Sequence, residues 1–140
     1  MGGSEPAKRI LAVDFGDRRT GLAATDFTGS IVTPLPALVG LKDTDCARAI
    51  ADLADERDTQ VIVVGLPLDT AGQVGQRAQR TLKFVDLLQA SASQPVTTCD
   101  ERDTTDEAHA LLRDGGIRAA QRKKLADSVA ALVILNRFLA

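Results

Sequence analysis

The 140-residue sequence predicts an α/β domain: a mixed five-stranded sheet with an antiparallel meander of the first three strands, then parallel strands, and helices on both faces. Three observations carry that reading. Short aliphatic runs near the start are separated by brief polar turns. One later run, Val61–Val64, is apolar without alternation, as in a strand buried on both faces. From Thr44 onward, stretches of helical period alternate with short strands, the pattern of parallel α/β units.

Each element follows from its own residues. Lys8–Asp14 is a buried strand, Phe15–Thr20 a polar turn and Gly21–Asp26 the returning strand of a hairpin. Ile31–Val39 is a third strand, which Pro34 and Pro36 confine to an edge or distort. Thr44 caps a helix whose apolar face holds Cys46, Ala47, Ile50, Ala51, Leu53 and Ala54. Val61–Val64 is the fourth strand, ended by Gly65-Leu66-Pro67, and Gln73–Ala92 a long helix with Ala78, Leu82, Val85 and Leu88 inward. Pro95–Cys99 is the fifth strand. A helix from Thr104 or Thr105 to Leu112 is stopped by Asp114-Gly115-Gly116, and Ala120–Leu139 is the last. A meander followed by alternating strands and helices is the ribonuclease H-like order, a three-layer fold.

Composition limits what such a domain does. Its length is in the usual single-domain range and buries roughly 70% of the unfolded surface, so residues 8–140 are read as one domain behind a flexible segment, 1–7. Four Phe, no Trp and no Tyr leave few rings for stacking on bases. Cys46 and Cys99 share no ligand spacing with His109, which excludes a Cys/His zinc site. Few cysteines and no secretory leader point to the cytoplasm, and no apolar run is long enough for a membrane span. The net charge of −2 does not favour nucleic acid. Three basic groups nevertheless stand together in sequence: Arg18–Arg19, Arg77–Arg80–Lys83 and Arg118–Arg122–Lys123–Lys124. Folding either gathers them on one face for phosphate or leaves them as solvated surfaces.

The acids are more informative. Asp14 closes the first strand, Glu101 follows the fifth, and Asp127 interrupts the apolar stretch LADSVAALVIL, where an unpaired carboxylate is costly. Three carboxylates from separate elements suit hard cations such as Mg²⁺, two of which about 4 Å apart activate water and stabilise a leaving oxygen. Each acid also has a plain structural reading. Asp14 can cap a turn, Glu101 can join a surface ion pair, and Asp127 can pair with Lys123 or Lys124. Gly16 gives the hairpin room, and its loop with Arg18, Arg19 and Thr20 reaches toward a phosphate.

Four segments then carry a resemblance. VDFGDRRTGLAATD, VVGLPLDTAGQVGQRAQRTLKFVDLL, DERDTTDEA and KKLADSVAALVIL resemble, in order and spacing, the YqgF/RuvX family of Holliday junction resolvases and pre-16S rRNA nucleases. The likeness covers about Lys8 to Leu139. It implies that Asp14, Glu101 and Asp127 are the catalytic acids and hold two Mg²⁺ or Mn²⁺ ions. It further implies that Gly16, Gly65 and Pro67 belong to loops beside the site, and that Arg77 follows in its usual place. Arg102 or a nearby basic group, Arg18, Arg19, Arg77, Lys123 and Lys124 among them, would hold phosphate. Asp103 and Asp69 depart from the family pattern by adding negative charge near the cleft. Asp103 is read as a cap for the next helix, with a metal ligand as the alternative.

The expected activity is thus metal-dependent phosphodiester hydrolysis of structured nucleic acid by a monomer or homodimer, with the 5′ end of pre-16S rRNA as substrate. A Holliday junction in branched DNA is the alternative substrate. A non-catalytic RNA- or ribosome-binding protein is the rival of another class. An actin-like or sugar-kinase phosphotransferase would need a second such domain, and Ser128 with His109 lacks a nucleophile elbow.

Overall fold

The computed structural model describes residues 9–26, 28, 29, 31–68, 71–100 and 119–139, with side chains of the last helix from Ser128 onward. Five strands form one sheet: β1 (Ile10–Asp14), β2 (Arg19–Thr25), β3 (Val32–Val39), β4 (Val61–Leu66) and β5 (Val96–Asp100), in the order β3-β2-β1-β4-β5. β1–β2 and β2–β3 are antiparallel, whereas β1–β4 and β4–β5 are parallel. The expected meander followed by parallel strands is therefore the observed topology. β3 lies at an edge, and its register against β2 shifts between Thr20 and Leu22, opposite Pro36 and Ala37. A proline lacks the N–H that an inner strand needs, so both of its tolerated settings, edge and bulge, occur here.

Helices α1 (Asp43–Glu56) and α2 (Gln76–Ser91) cover one face and α3 (Ala119–Leu139) the other. Alternation along each strand sorts the side chains. Leu11, Val13, Leu22, Ala24, Ile62 and Val64 pack against Ala47, Ile50, Phe84 and Leu88 of α1 and α2. Ile10, Ala12, Ala23 and Val63 pack against Ala131, Ile134 and Leu135 of α3. On the α3 side Ser128 Oγ donates to the Leu35 carbonyl of β3 at 2.6 Å, and Arg137 Nη1 donates to the Asp100 carbonyl of β5 at 3.1 Å. The helix thus crosses the sheet from one edge to the other.

Several boundaries differ from expectation, each for a local reason. Thr44 does not cap α1. The chain is already extended at Lys42, whose carbonyl accepts from Cys46 N at 2.8 Å, and no side chain caps the end. Asp43 and Asp45 in the first turn complement the helix dipole instead. β4 does not stop at Val64, because Gly65 and Leu66 still pair with Cys99 and Asp100. α2 starts at Gln76 and not Gln73, since Gly75 is extended. Its inward face includes Thr81 and Phe84, whereas Leu82 is 38% exposed. The helix expected up to Leu112 lies outside the described residues. Among the described residues no helix is long and apolar enough to cross a membrane.

Candidate active site

β1, β4 and β5 run parallel, so their carboxyl ends meet at one edge of the sheet. That edge is where open parallel α/β sheets bind ligands. Asp14 is the last residue of β1, the middle strand, and is half-buried. Leu11 and Val13 point to α1 and α2, Ile10 and Ala12 to α3, so alternation turns Asp14 toward α3. Its neighbours matter. Gly21 of β2 pairs with Asp14, and the pairing of Val13 with Val64 brings Gly65 alongside it on β4. Gly65 pairs in turn with Cys99, which packs on the α3 side. Ala23 and Val63, two residues from these glycines, face α3 as well. Asp14 therefore stands between two strand positions without side chains at the carboxyl edge.

The other two candidate acids are reached only in part. β5 ends at Asp100, one residue before Glu101, which lies outside the described residues together with Arg102 and Asp103. Asp69 lies outside them too. Asp127 belongs to α3, four residues before Ala131, but its side chain and those of Lys123 and Lys124 fall outside the described residues. Among the described residues no group of three or more His, Cys, Asp or Glu side chains is arranged to hold a metal ion. Arg137, which sequence reasoning overlooked, reaches the end of β5. Its position in the last turn of α3 was the available signal.

The hairpin after Asp14 is tightly built. A Cβ on Gly16 would lie 2.3 Å from the Arg19 carbonyl oxygen, so only glycine lets the chain turn there. Gly40 N donates to the Arg18 carbonyl at 2.9 Å and holds the far side of the turn. Arg18 and Arg19 are exposed at its tip. Between the hairpin and the start of α2 lies an open pocket of about 240 Å³ lined by Phe15, Gly16, Asp17, Gln76, Arg77, Arg80 and Thr81. The first two basic groups thus come side by side, but not as one uniform patch. Arg80 Nε donates to Asp17 Oδ1 at 2.6 Å, and its Nη1 and Nη2 donate to Asp43 at 3.1 and 3.3 Å. The Asp17 carboxylate, then Asp43, hold its guanidinium protonated above the ordinary arginine range. Arg80 is committed to two carboxylates, and the exposed Arg77 is left at the rim.

Comparison with known proteins agrees with this geometry. Residues 8–140 match the family model described as RuvX, Holliday junction resolvase. The chain belongs to this family. A Desulforudis audaxviator protein named "Putative pre-16S rRNA nuclease" is 37% identical over 94% of this chain and 93% of its own length. A Chloroflexus aggregans protein of the same name is 38% identical over 93% of this chain and 92% of its own. The family and these relatives are nucleases by name, in agreement with the expected phosphodiester-cleaving hydrolase. Among solved structures, a Fowlpox virus resolvase in complex with Holliday junction DNA covers 94% of this chain and 96% of its own at 11% identity, with a TM-score of 0.60. T. thermophilus RuvC in complex with a Holliday junction covers 91% of this chain and 90% of its own at 17% identity and TM-score 0.54. At such identity the two structures establish the shared ribonuclease H-like fold alone.

Within this RuvX member Cys46 belongs to the core on the α1 and α2 side, away from the face to which Asp14 turns. Cys46 is buried on α1, its Sγ 3.6 Å from Thr20 Oγ1. Burial pushes its thiol up, with Asp43 adding to the shift and the Thr20 hydrogen bond opposing it. Such a thiol stays protonated and inert at neutral pH.

Proposed function

We propose that this chain is a divalent-metal-dependent nuclease whose metal ligands and catalytic acids are Asp14, Glu101 and Asp127, and that its substrate is the 5′ region of precursor 16S rRNA. The observation that carries the reading is the setting of Asp14 in a RuvX family member. It ends the central strand at the carboxyl edge, flanked by Gly21 and Gly65, beneath the helix that carries Asp127. Cys99, two residues before Glu101, packs on that same side.

The donor chemistry fits a hard cation. The proposed ligands are all carboxylate oxygens, the type that Mg²⁺ and Mn²⁺ prefer, and the two glycines leave room for hydrated ions. When bound, the ions supply an activated water and charge stabilisation for the leaving oxygen. The chain's residues do the rest. Asp14 offers its oxygens from a strand end fixed by pairing on both sides, so little reorganisation is needed. Arg18 and Arg19 at the hairpin tip and Arg77 at the start of α2 hold backbone phosphates. Arg102, beside Glu101, and Lys123 and Lys124, in the basic group before Asp127, are assigned the same role. Gly16, Gly65 and Pro67 shape the loops beside the acid.

RNA is favoured over a junction because one site suffices to trim an RNA end. Cutting a four-way junction calls for a two-fold pair of sites. The family's resolvase description keeps the junction as the second reading. The test is cleavage of a pre-16S RNA fragment and of a four-way DNA junction with Mg²⁺, with Mn²⁺ and with EDTA. The expected result is metal-dependent cutting of the RNA near its mature 5′ end and little cutting of the junction. Cleavage that survives EDTA rejects the metal mechanism, and preferential junction cutting replaces the substrate. Unchanged cleavage when each acid in turn is replaced by its amide favours the non-catalytic binding protein.

A further inference from the structure

The segment just after Asp14 is held to both helices of one face by a single connection. Phe15 turns away from Asp14 into the opposite core and stacks on Phe84 of α2, with ring centroids 4.0 Å apart and planes 9° apart. The Arg80 guanidinium sits 5.1 Å from the centroid of the same Phe15 ring. That guanidinium also binds Asp17 of the hairpin and, through two nitrogens, Asp43 at the first residue of α1. One side chain thereby joins three elements: the β1–β2 turn, the start of α1 and the second turn of α2. The planar fork is needed for this. A lysine would offer one point charge to two carboxylates on different sides.

We propose that Arg80 is a positioning residue for Asp14. It ties Phe15 and Asp17 to α1 and α2, fixes the backbone on which Asp14 stands, and so sets the affinity of the site for divalent ions. This rests on the reading of Asp14 as a metal ligand. Single exposed ion pairs contribute little, but here two carboxylates and a ring share one cation, and the ring and one of the carboxylates stand within three residues of the acid. A small displacement of a ligand-bearing strand end is felt strongly in metal binding and rate, whereas global stability, carried by the two cores, is hardly touched.

The test uses the full chain and the variants Arg80→Met, Arg80→Lys and Asp14→Asn. Mn²⁺ binding is followed by the electron paramagnetic resonance signal of free Mn²⁺, and local opening by amide hydrogen exchange. Arg80→Met is expected to weaken Mn²⁺ binding about three- to ten-fold and to speed exchange at residues 15–18, with the urea midpoint nearly unchanged. Arg80→Lys, which keeps the charge without the fork, should show a smaller shift in the same direction. Unchanged Mn²⁺ affinity in Arg80→Met overturns the proposal, as does weakened binding accompanied by a uniform rise in exchange. Asp14→Asn separates the two ideas. Wild-type Mn²⁺ binding in that variant rejects the metal-ligand reading itself, whereas loss there with none in Arg80→Met rejects only the positioning role. Should Arg80→Met not fold, Asp17→Asn and Asp43→Asn each remove one arm, and both must weaken Mn²⁺ binding for the proposal to stand.

Discussion

The two faces of the sheet are built from different material. The face under α1 and α2 is filled by large side chains, Leu11, Phe15, Leu22, Ile50, Ile62, Phe84 and Leu88. The face under α3 is built from smaller ones, Ala12, Ala23 and Ala131 beside Ile10, Val63, Ile134 and Leu135, with Gly21 and Gly65 at its carboxyl edge. Backbone-binding hydroxyls and the candidate acid lie on this face. Thr25 Oγ1 accepts from Ile10 N at 2.8 Å, Ser128 binds the Leu35 carbonyl, and Asp14 ends β1. Small residues let a helix approach the sheet closely, and glycines at the edge leave space for a ligand. One face mainly stabilises the fold, and the other presents the candidate chemistry.

Substitutions can break this contrast. The largest effect is expected for Asp14→Asn, which should reduce metal-dependent cleavage by about 100-fold or more while the urea midpoint stays near wild type. A large stability loss there would mean that the acid is part of the packing and not of the site. Leu88→Ala, on the opposite face, should cost about 2–5 kcal/mol of stability by opening a cavity. Its cleavage rate per folded molecule, measured well below the melting temperature, should remain unchanged. On the α3 face Ala131→Leu should do both kinds of damage. It overpacks a fully buried position by about 1–3 kcal/mol and moves the helix away from the strand ends, so cleavage should fall more than unfolding explains. Ser128→Ala is the mildest, at roughly 1 kcal/mol for the lost hydrogen bond to Leu35 in denaturant titrations. A cleavage defect from this variant would tie the seating of α3 on β3 directly to the site.

Much of the fold was legible in the residues. The apolar runs, the prolines of β3 and the unalternating Val61–Val64 gave strand number, direction and edge because these are local periodicities. Helix starts were read less well. Capping at Thr44 was inferred from residue type, but where the chain leaves its extended path, at Lys42, depends on how α1 seats on the sheet. Leu82 falls in step with Ala78 and Val85, which by period alone predicts it inward. The packing of α2 centres instead on Thr81, Phe84 and Leu88, and only the orientation of the helix settles that.

For the candidate site the division is sharper. The sequence by itself determined that acids stand at the ends of strands and inside an apolar helix, that Gly16 belongs to a tight turn, and which family the four motifs resemble. These depend on residue type and on spacing along the chain. Only the tertiary structure decided which face Asp14 turns to, that Gly21 and Gly65 flank it, and that Arg80 is bound by Asp17 and Asp43. The partners in that last connection are 63 and 37 residues apart, so no local pattern announces them. Side-chain pairing across such distances follows from how strands register and helices dock, which is a property of the assembled layers.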